Sequence, residues 1–312
     1  MTIPFIRKMM GIAVASAALI PGAVQAQLVP FSLSNYQITA TYALPSSTVP
    51  EASAVTFNWN TGNLFIVNDE GDRIQEVTRA GTPVSSMSFT GFADTEGLTY
   101  IGNGKFVITE ERLRSAYEFT YAAGGTLARS SMPVVNLGST VGNIGIEGIS
   151  FERASGDFFY VKEKTNQEVN RASIAFGSPG SATIASLFSP SLGVADLSDV
   201  QVLSDVPGLA GASNRDNLLI ISQESARLIE LTRGGSVVSQ FSFAGISSAA
   251  EGITIDEQGI IYVVGEAEGA LGPRMFVLTP VPEPSAYLLM ALGLSVVVLR
   301  VAKRRAGSVS DI

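Results

Sequence analysis

The chain contains no cysteine and no histidine among its 312 residues. Without cysteine there is no disulfide, no thiolate nucleophile and no Cys/His zinc site. Without histidine there is no imidazole base, so a Ser-His-Asp triad cannot be assembled. Charge is also scarce, at 15% of residues, and the balance is acidic, with a formal net charge of −8. Too few Lys and Arg are available for a phosphate-backbone footprint, which argues against nucleic acid as a partner. Long charged helices are excluded by the same scarcity. What remains is oxygen chemistry: carboxylates, hydroxyls and carbonyls, the ligands of hard cations. Glycine, by contrast, is plentiful, with 31 residues. Short strands joined by Gly turns are therefore expected.

The two ends differ from the middle. Arg7 and Lys8 precede the apolar run "MMGIAVASAALIPGA", and "VQA" follows before Gln27. A basic region, an apolar core and a small-x-small site read as a secretory signal over Met1–Ala26. At the other end, residues 286–301 are apolar apart from Ser295 and Arg300, and Lys303, Arg304 and Arg305 follow. About 17 apolar residues is the short limit for a bilayer-spanning helix. The basic cluster should stay cytoplasmic, which leaves the body outside. Pro282-Glu283-Pro284 stands just before the span. Triplet, apolar stretch and basic stop together resemble a PEP-CTERM sorting signal, over residues 281–305. That resemblance implies an exosortase-type sorting enzyme as partner. It also implies transient anchoring in the cytoplasmic membrane and a cell-surface or extracellular fate, in bacteria that make extracellular polysaccharide.

Between the ends the chain repeats. "ASAVTF", "TEGLTY", "IEGISF", "LSDVQV" and "AEGITI" align on Ala54, Gly97, Gly148, Asp199 and Gly252, in steps of 43, 51, 51 and 53 residues. A period near 40–50 suits a four-stranded propeller blade. Each unit continues with a turn ("NTGN", "GNGK", "ASGD", "NRDN", "EQG") and a second apolar strand: "LFIVND", "FVITEE", "FFYVKE", "LLIISQE", "IIYVVGE". Third and fourth strands follow, the fourth of unit two reading "ARSSMPVVNL". Unit five stops after "RMFVLTP", one strand short, while "NYQITATYAL" (Asn35–Leu44) is unassigned. That spare strand should fill the vacancy and close the ring, which removes the open edge. The fold class is all-β: a five-bladed β-propeller over residues 35–280, closed by an N-terminal strand. A signal peptide precedes it and a transmembrane helix follows. Residues 50–279 resemble the SdiA-regulated family of bacterial propellers, whose biochemical role is largely unknown. Ala54 and Asp199 stand where that pattern has Gly, and Ser53 and Ser198 where it has Glu.

Two acidic positions recur. Glu96, Glu147 and Glu251 precede the aligned small residue. Asp69, Glu110, Glu163, Glu224 and Glu266 end the second strand. Equivalent positions of successive blades form rings about one axis. Clustered carboxylates repel unless protonated or bridged. Glu96, Glu147, Glu251, Asp69, Glu110 and Glu163 are therefore candidate Ca²⁺ ligands. The competing reading has each Glu accept backbone N–H groups from the next blade. Arg73, Arg112, Lys162 and Lys164 lie near these acids in sequence, where they could hold an anion or make ordinary rim ion pairs.

Two functions fit. One is a non-enzymatic surface module that binds envelope polysaccharide or a small anion. The other is a Ca²⁺-dependent, phytase-like phosphoesterase. The tail gives a first prediction. Mass spectrometry of protein from its native host should find a C-terminus near Pro282-Glu283-Pro284. Recovery of chain ending at Ile312 would sink the sorting assignment.

Overall fold

A computed structural model describes residues 31–140 and 142–281 of the chain. The expected signal peptide, the Pro282–Pro284 triplet and the apolar tail lie outside the described residues. Within them the chain forms five sheets, antiparallel but for one added strand, which are the blades of a ring. Inner strands run over Ala52–Phe57, Thr95–Gly102, Ile146–Glu152, Asp199–Val202 and Ala250–Ile255. The second strands are Leu64–Asn68, Lys105–Glu110, Asp157–Lys162, Leu218–Ser222 and Ile261–Gly265. Nearly every residue of both sets is buried, because each blade packs on both faces.

The spare N-terminal strand fills the vacancy. Tyr36–Ala43 pairs antiparallel with Arg274–Pro280, the third strand of blade five. The ladder is extended at both ends: Leu44 N–H donates to Pro273 (2.9 Å) and Val281 N–H to Asn35 (2.6 Å). Just upstream, Phe31 and Leu33 pack among buried side chains of blades four and five. Leu33 N–H donates to Ser239 Oγ at 2.8 Å, and Asn214 Nδ2 to the Phe31 carbonyl at 2.5 Å. Phe31 and Leu33 thus fill the seam beside the closing blade.

Blade two departs from the expected pattern. "ARSSMPVVNL" is not one strand. Thr126–Ala128 pairs in parallel with the outer strand of blade one, and only Val134–Asn136 pairs within blade two. Pro133 lies between them, and proline has no N–H to continue a ladder. The result is a five-stranded blade one, stapled to its neighbour.

A second device joins all five blades. The second inward position of each inner strand carries Thr56, Thr99, Ser150, Gln201 or Thr254. Thr56 Oγ1 accepts Tyr100 N–H (3.1 Å), Thr99 Oγ1 accepts Phe151 N–H (3.0 Å) and Ser150 Oγ accepts Val202 N–H (3.1 Å). Thr254 Oγ1 donates to Gln201 Oε1 (3.2 Å) and accepts Phe57 N–H (3.1 Å). The belt links every blade to the next.

Thr99→Val should therefore strand the half-buried Phe151 N–H at a cost of about 1 kcal/mol or more. Thr109 is equally buried, but its Oγ1 has no partner among the described residues. Thr109→Val should be neutral or stabilising. Thermal unfolding of the two variants checks this; equal losses would contradict the belt.

Candidate metal centre

The inner strands meet close to the axis. A Cβ on Gly148 would lie 2.2 Å from Asp199 Oδ1 and 2.4 Å from its Cα, so only glycine fits there. Just before this contact, register shifts occur between Ala52 and Ala54, Thr95 and Gly97, Ile146 and Gly148, and Ala250 and Gly252. Such a bulge leaves one residue unpaired and re-aims its side chain. The bulged residues are Ser53, Glu96, Glu147 and Glu251. Blade four begins its strand one residue after Ser198.

The two serines are already engaged. Ser53 Oγ donates to the Thr95 carbonyl (3.0 Å), and Ser198 Oγ to Asp196 Oδ2 (2.9 Å). The three glutamates differ. Each is held well above the ordinary carboxylate range, first by burial and then by neighbouring acids. Those neighbours are Glu251 and Asp69 for Glu96, Glu96 and Glu111 for Glu147, and Glu266 and Asp69 for Glu251. No backbone N–H among the described residues donates to any of the three side chains. Glu251 Oε2 is buried without a partner there, as is Asp69 Oδ1.

The acids that do accept backbone amides are others. Asp196 takes Gln223 N–H (3.1 Å) and Glu224 N–H (3.2 Å). Asp199, the residue standing where the pattern has Gly, takes Val200 N–H (2.7 Å) and Ile253 N–H of the next blade (2.8 Å). Its side chain is an inter-blade link.

Above the axial ring lies a rim. The backbone N–H groups of Asp69, Glu111, Glu163 and Glu266 donate to the carbonyls of Glu51, Asp94, Gly145 and Ala249, at 3.0–3.3 Å. These four are equivalent positions, and Gln223 completes the set in blade four. Glu110 is not among them. It pairs with Thr95 in the ladder and faces the blade interior, where Arg129 and Tyr117 bind its carboxylate. One residue of offset reverses the face of a strand. Glu111 takes the mouth position instead, with Oε1 accepting Gly145 N–H at 2.7 Å.

The mouth holds two tight groups. Oxygens of Glu111, Glu147 and Glu163 lie within 4.8 Å of one another, as do those of Glu51, Asp69 and Glu70. Glu96, Glu147 and Glu251 do not form such a trio among the described residues. Burial and the neighbouring Glu51 push Asp69 up to about 7. Burial and Glu111 raise Asp94 to about 6, against the pull of Arg112. Either group could supply part of the six to eight oxygens a Ca²⁺ ion takes.

The expected basic residues are engaged in ion pairs or turn contacts, two of them with acids of the mouth itself. Arg73 pairs with Asp72 at 3.4 Å, and Arg112 with Asp94 at 2.6 Å and Asn143. Lys164 lies between Glu163 and Glu224. Lys162 shares the interior-facing position of Glu110 and caps a turn, donating to the carbonyls of Lys164, Thr165 and Asn166.

The far mouth is nearly closed. Below the belt, Phe57, Trp59, Tyr100, Phe151, Arg153 and Asp205 line a cavity of ≈ 40 Å³, room for little more than water. Arg153 covers the Trp59 ring at 4.7 Å, and Tyr100 packs beside it at 4.4 Å.

Solved structures are similar to this chain at low identity. Glutaminyl cyclase from Myxococcus xanthus is 13% identical, with a TM-score of 0.52 over 78% of this chain and 95% of that one. The gluconolactonase XC5397 from Xanthomonas campestris is 12% identical, with a TM-score of 0.45 over 81% and 97%. The first of these shows a common propeller fold and nothing further. Residues 280–305 match the PEP-CTERM protein-sorting motif, which makes this an exported protein addressed to exosortase-type machinery. The propeller itself matches a family of its own over residues 30–271, and the chain belongs to the SdiA-regulated family.

Proposed function

We propose that the protein is a non-enzymatic surface module whose acidic mouth binds Ca²⁺. One observation carries the reading: Glu111, Glu147 and Glu163 bring carboxylate oxygens within 4.8 Å of one another, and while Gly145 N–H meets Glu111 and Lys164 meets Glu163, no cation or N–H group among the described residues compensates Glu147. Paired charges at such distances repel by about 1–4 kcal/mol, depending on the local dielectric. Bound Ca²⁺ removes that cost and suits an all-oxygen ligand set. A cation held at the mouth would in turn present a docking point to anionic sugars of an envelope polysaccharide.

The phosphoesterase alternative needs basic side chains converging on the metal. Arg112 and Lys164 are the nearest candidates, and both are tied to carboxylates. No imidazole or thiol is available to replace them. A phosphatase screen of the mature body, with and without chelator, tests this second reading directly.

Ca²⁺ at about 100 times its Kd should stabilise the fold by about 2.7 kcal/mol. For a body of this size that is about 5–10 °C in Tm. Glu147→Gln should abolish the shift while leaving the protein folded. If chelator changes nothing in the parent protein, the metal reading fails.

A pH dependence follows from the same carboxyls. Asp69 and Asp94 titrate higher in the folded state than their ordinary 3.8. The folded state then binds more protons than the unfolded state between about 4 and 7, so stability falls as pH rises through that window. Chelated protein should melt lower at pH 8 than at pH 5. Saturating Ca²⁺ should cancel the difference. A chelated melting temperature that rises with pH would contradict the assignment.

A further inference from the structure

The propeller has two unlike faces, and the tail leaves from only one. In blade five, Ala250, Gly265, Arg274 and Ala43 share one end of the sheet. Glu251 and Glu266 stand at that end, so it is the acidic mouth. Ile255, Ile261, Leu278 and Tyr36 mark the other end. The Trp59–Arg153 mouth belongs there, because Ile255 and Asp256 line it too. The last strand, Arg274–Pro280, runs from the acidic end to this far end. Its exit is pinned: Val281 N–H donates to Asn35, and the Tyr36 hydroxyl donates to the Gly259 carbonyl at 2.8 Å, on the hairpin tip.

The sorting motif begins at once. The match starts at residue 280, and only Pro282, Glu283, Pro284 and Ser285 separate Val281 from the apolar stretch. Five chain steps span at most about 17 Å. The seven-residue last strand alone is about 23 Å long. To lay the acidic mouth on the bilayer, the chain would have to run back past that whole strand. Its reach is too short.

We infer that, while the tail is embedded, the propeller stands on its Trp59–Arg153 face against the bilayer and presents the acidic mouth outward. The occupant of the far face is the membrane surface around the protein's own tail. The sorting enzyme must then work in the narrow gap beneath this face, since the folded body leaves no linker. The inference rests on the strand direction and the sorting motif, not on Ca²⁺ binding.

The absence of cysteine makes the test clean, because any introduced thiol is unique. Gln258 and Ala267 are exposed loop residues at opposite ends of the same blade. Full chain with its tail intact, from a host without a sorting enzyme, is reconstituted into neutral phospholipid vesicles. Gln258→Cys and Ala267→Cys each carry a donor dye, and the lipid headgroups carry the acceptor. The expected result is a large loss of donor emission at position 258 and a small one at 267. Equal losses, a larger loss at 267, or no loss at either would overturn the orientation. A long Gly/Ser insert between Val281 and Pro282 should erase the difference. Its persistence would overturn the short-tether argument.

Discussion

Five inner strands must converge on one axis, and at one level three of them approach their neighbours too closely for any side chain of their own. A Cβ on Gly252 would sit 2.7 Å from the Ser53 carbonyl, and one on Gly148 would overlap Asp199. The chain reaches this contact through a bulge, and the bulge decides what lies in the channel. Wherever it occurs, the preceding residue is turned off the ladder. In three blades that residue is Glu. The acidic centre is thus a by-product of how the ring closes at its narrowest point, put to use by the choice of side chain.

Because the carboxylates sit where the blades meet, stability and electrostatics are coupled. The hydroxyl belt holds the blades together below the contact, with neutral partners and full satisfaction. Above it, the rim acids anchor their backbone N–H groups within their own blades, Glu111 and Glu163 find partial compensation in Gly145 N–H and Lys164, and Asp69 and Glu251 each keep an unpartnered buried oxygen among the described residues. Charge self-repulsion therefore acts where the blades meet. Asp199 illustrates the opposite solution. It is fully surrounded, yet two amides satisfy it, and it bridges blades four and five without a cation.

The architecture was legible because strand count and repeat spacing are global quantities. Five inner strands with one vacancy and one spare strand admit few arrangements. Of the two close carboxylate groups, the repeat pattern named Glu147 at a bulge and Asp69 and Glu163 at strand ends, while Glu96 and Glu251, equally marked by a Glu-Gly pair, fall in neither group. Second-strand acids were harder, because hairpin lengths differ between blades. Counted from the aligned small residue, Asp69, Glu163 and Glu266 fall 15, 15 and 14 residues on, and Glu111 falls 14. That spacing favours Glu111 over Glu110, although the doublet "EE" hides it. The outer strand of blade two differs for another reason. The polar run Arg129–Ser131 turns as a 3-10 helix and Pro133 withholds an N–H, so the segment is handed from one blade to the next. The belt left no signal of its own, since Thr and Ser at inner-strand positions also suit mere crowding near the axis.

Closure also ties the two ends of the body together. Tyr36–Ala43 finds its partner, Arg274–Pro280, about 240 residues further along the chain. Without that pairing blade five lacks its outer strand, and Phe31 and Leu33 have no seam to fill. The ring can close only when the chain up to Val281 is in place, and the sorting motif is the next segment. A body that had not closed would trail an unpaired strand edge beside the motif. One that has closed holds Val281 in a hydrogen-bonded clasp. The same ladder that removes the open edge of the propeller thus fixes the face from which the chain leaves at Val281.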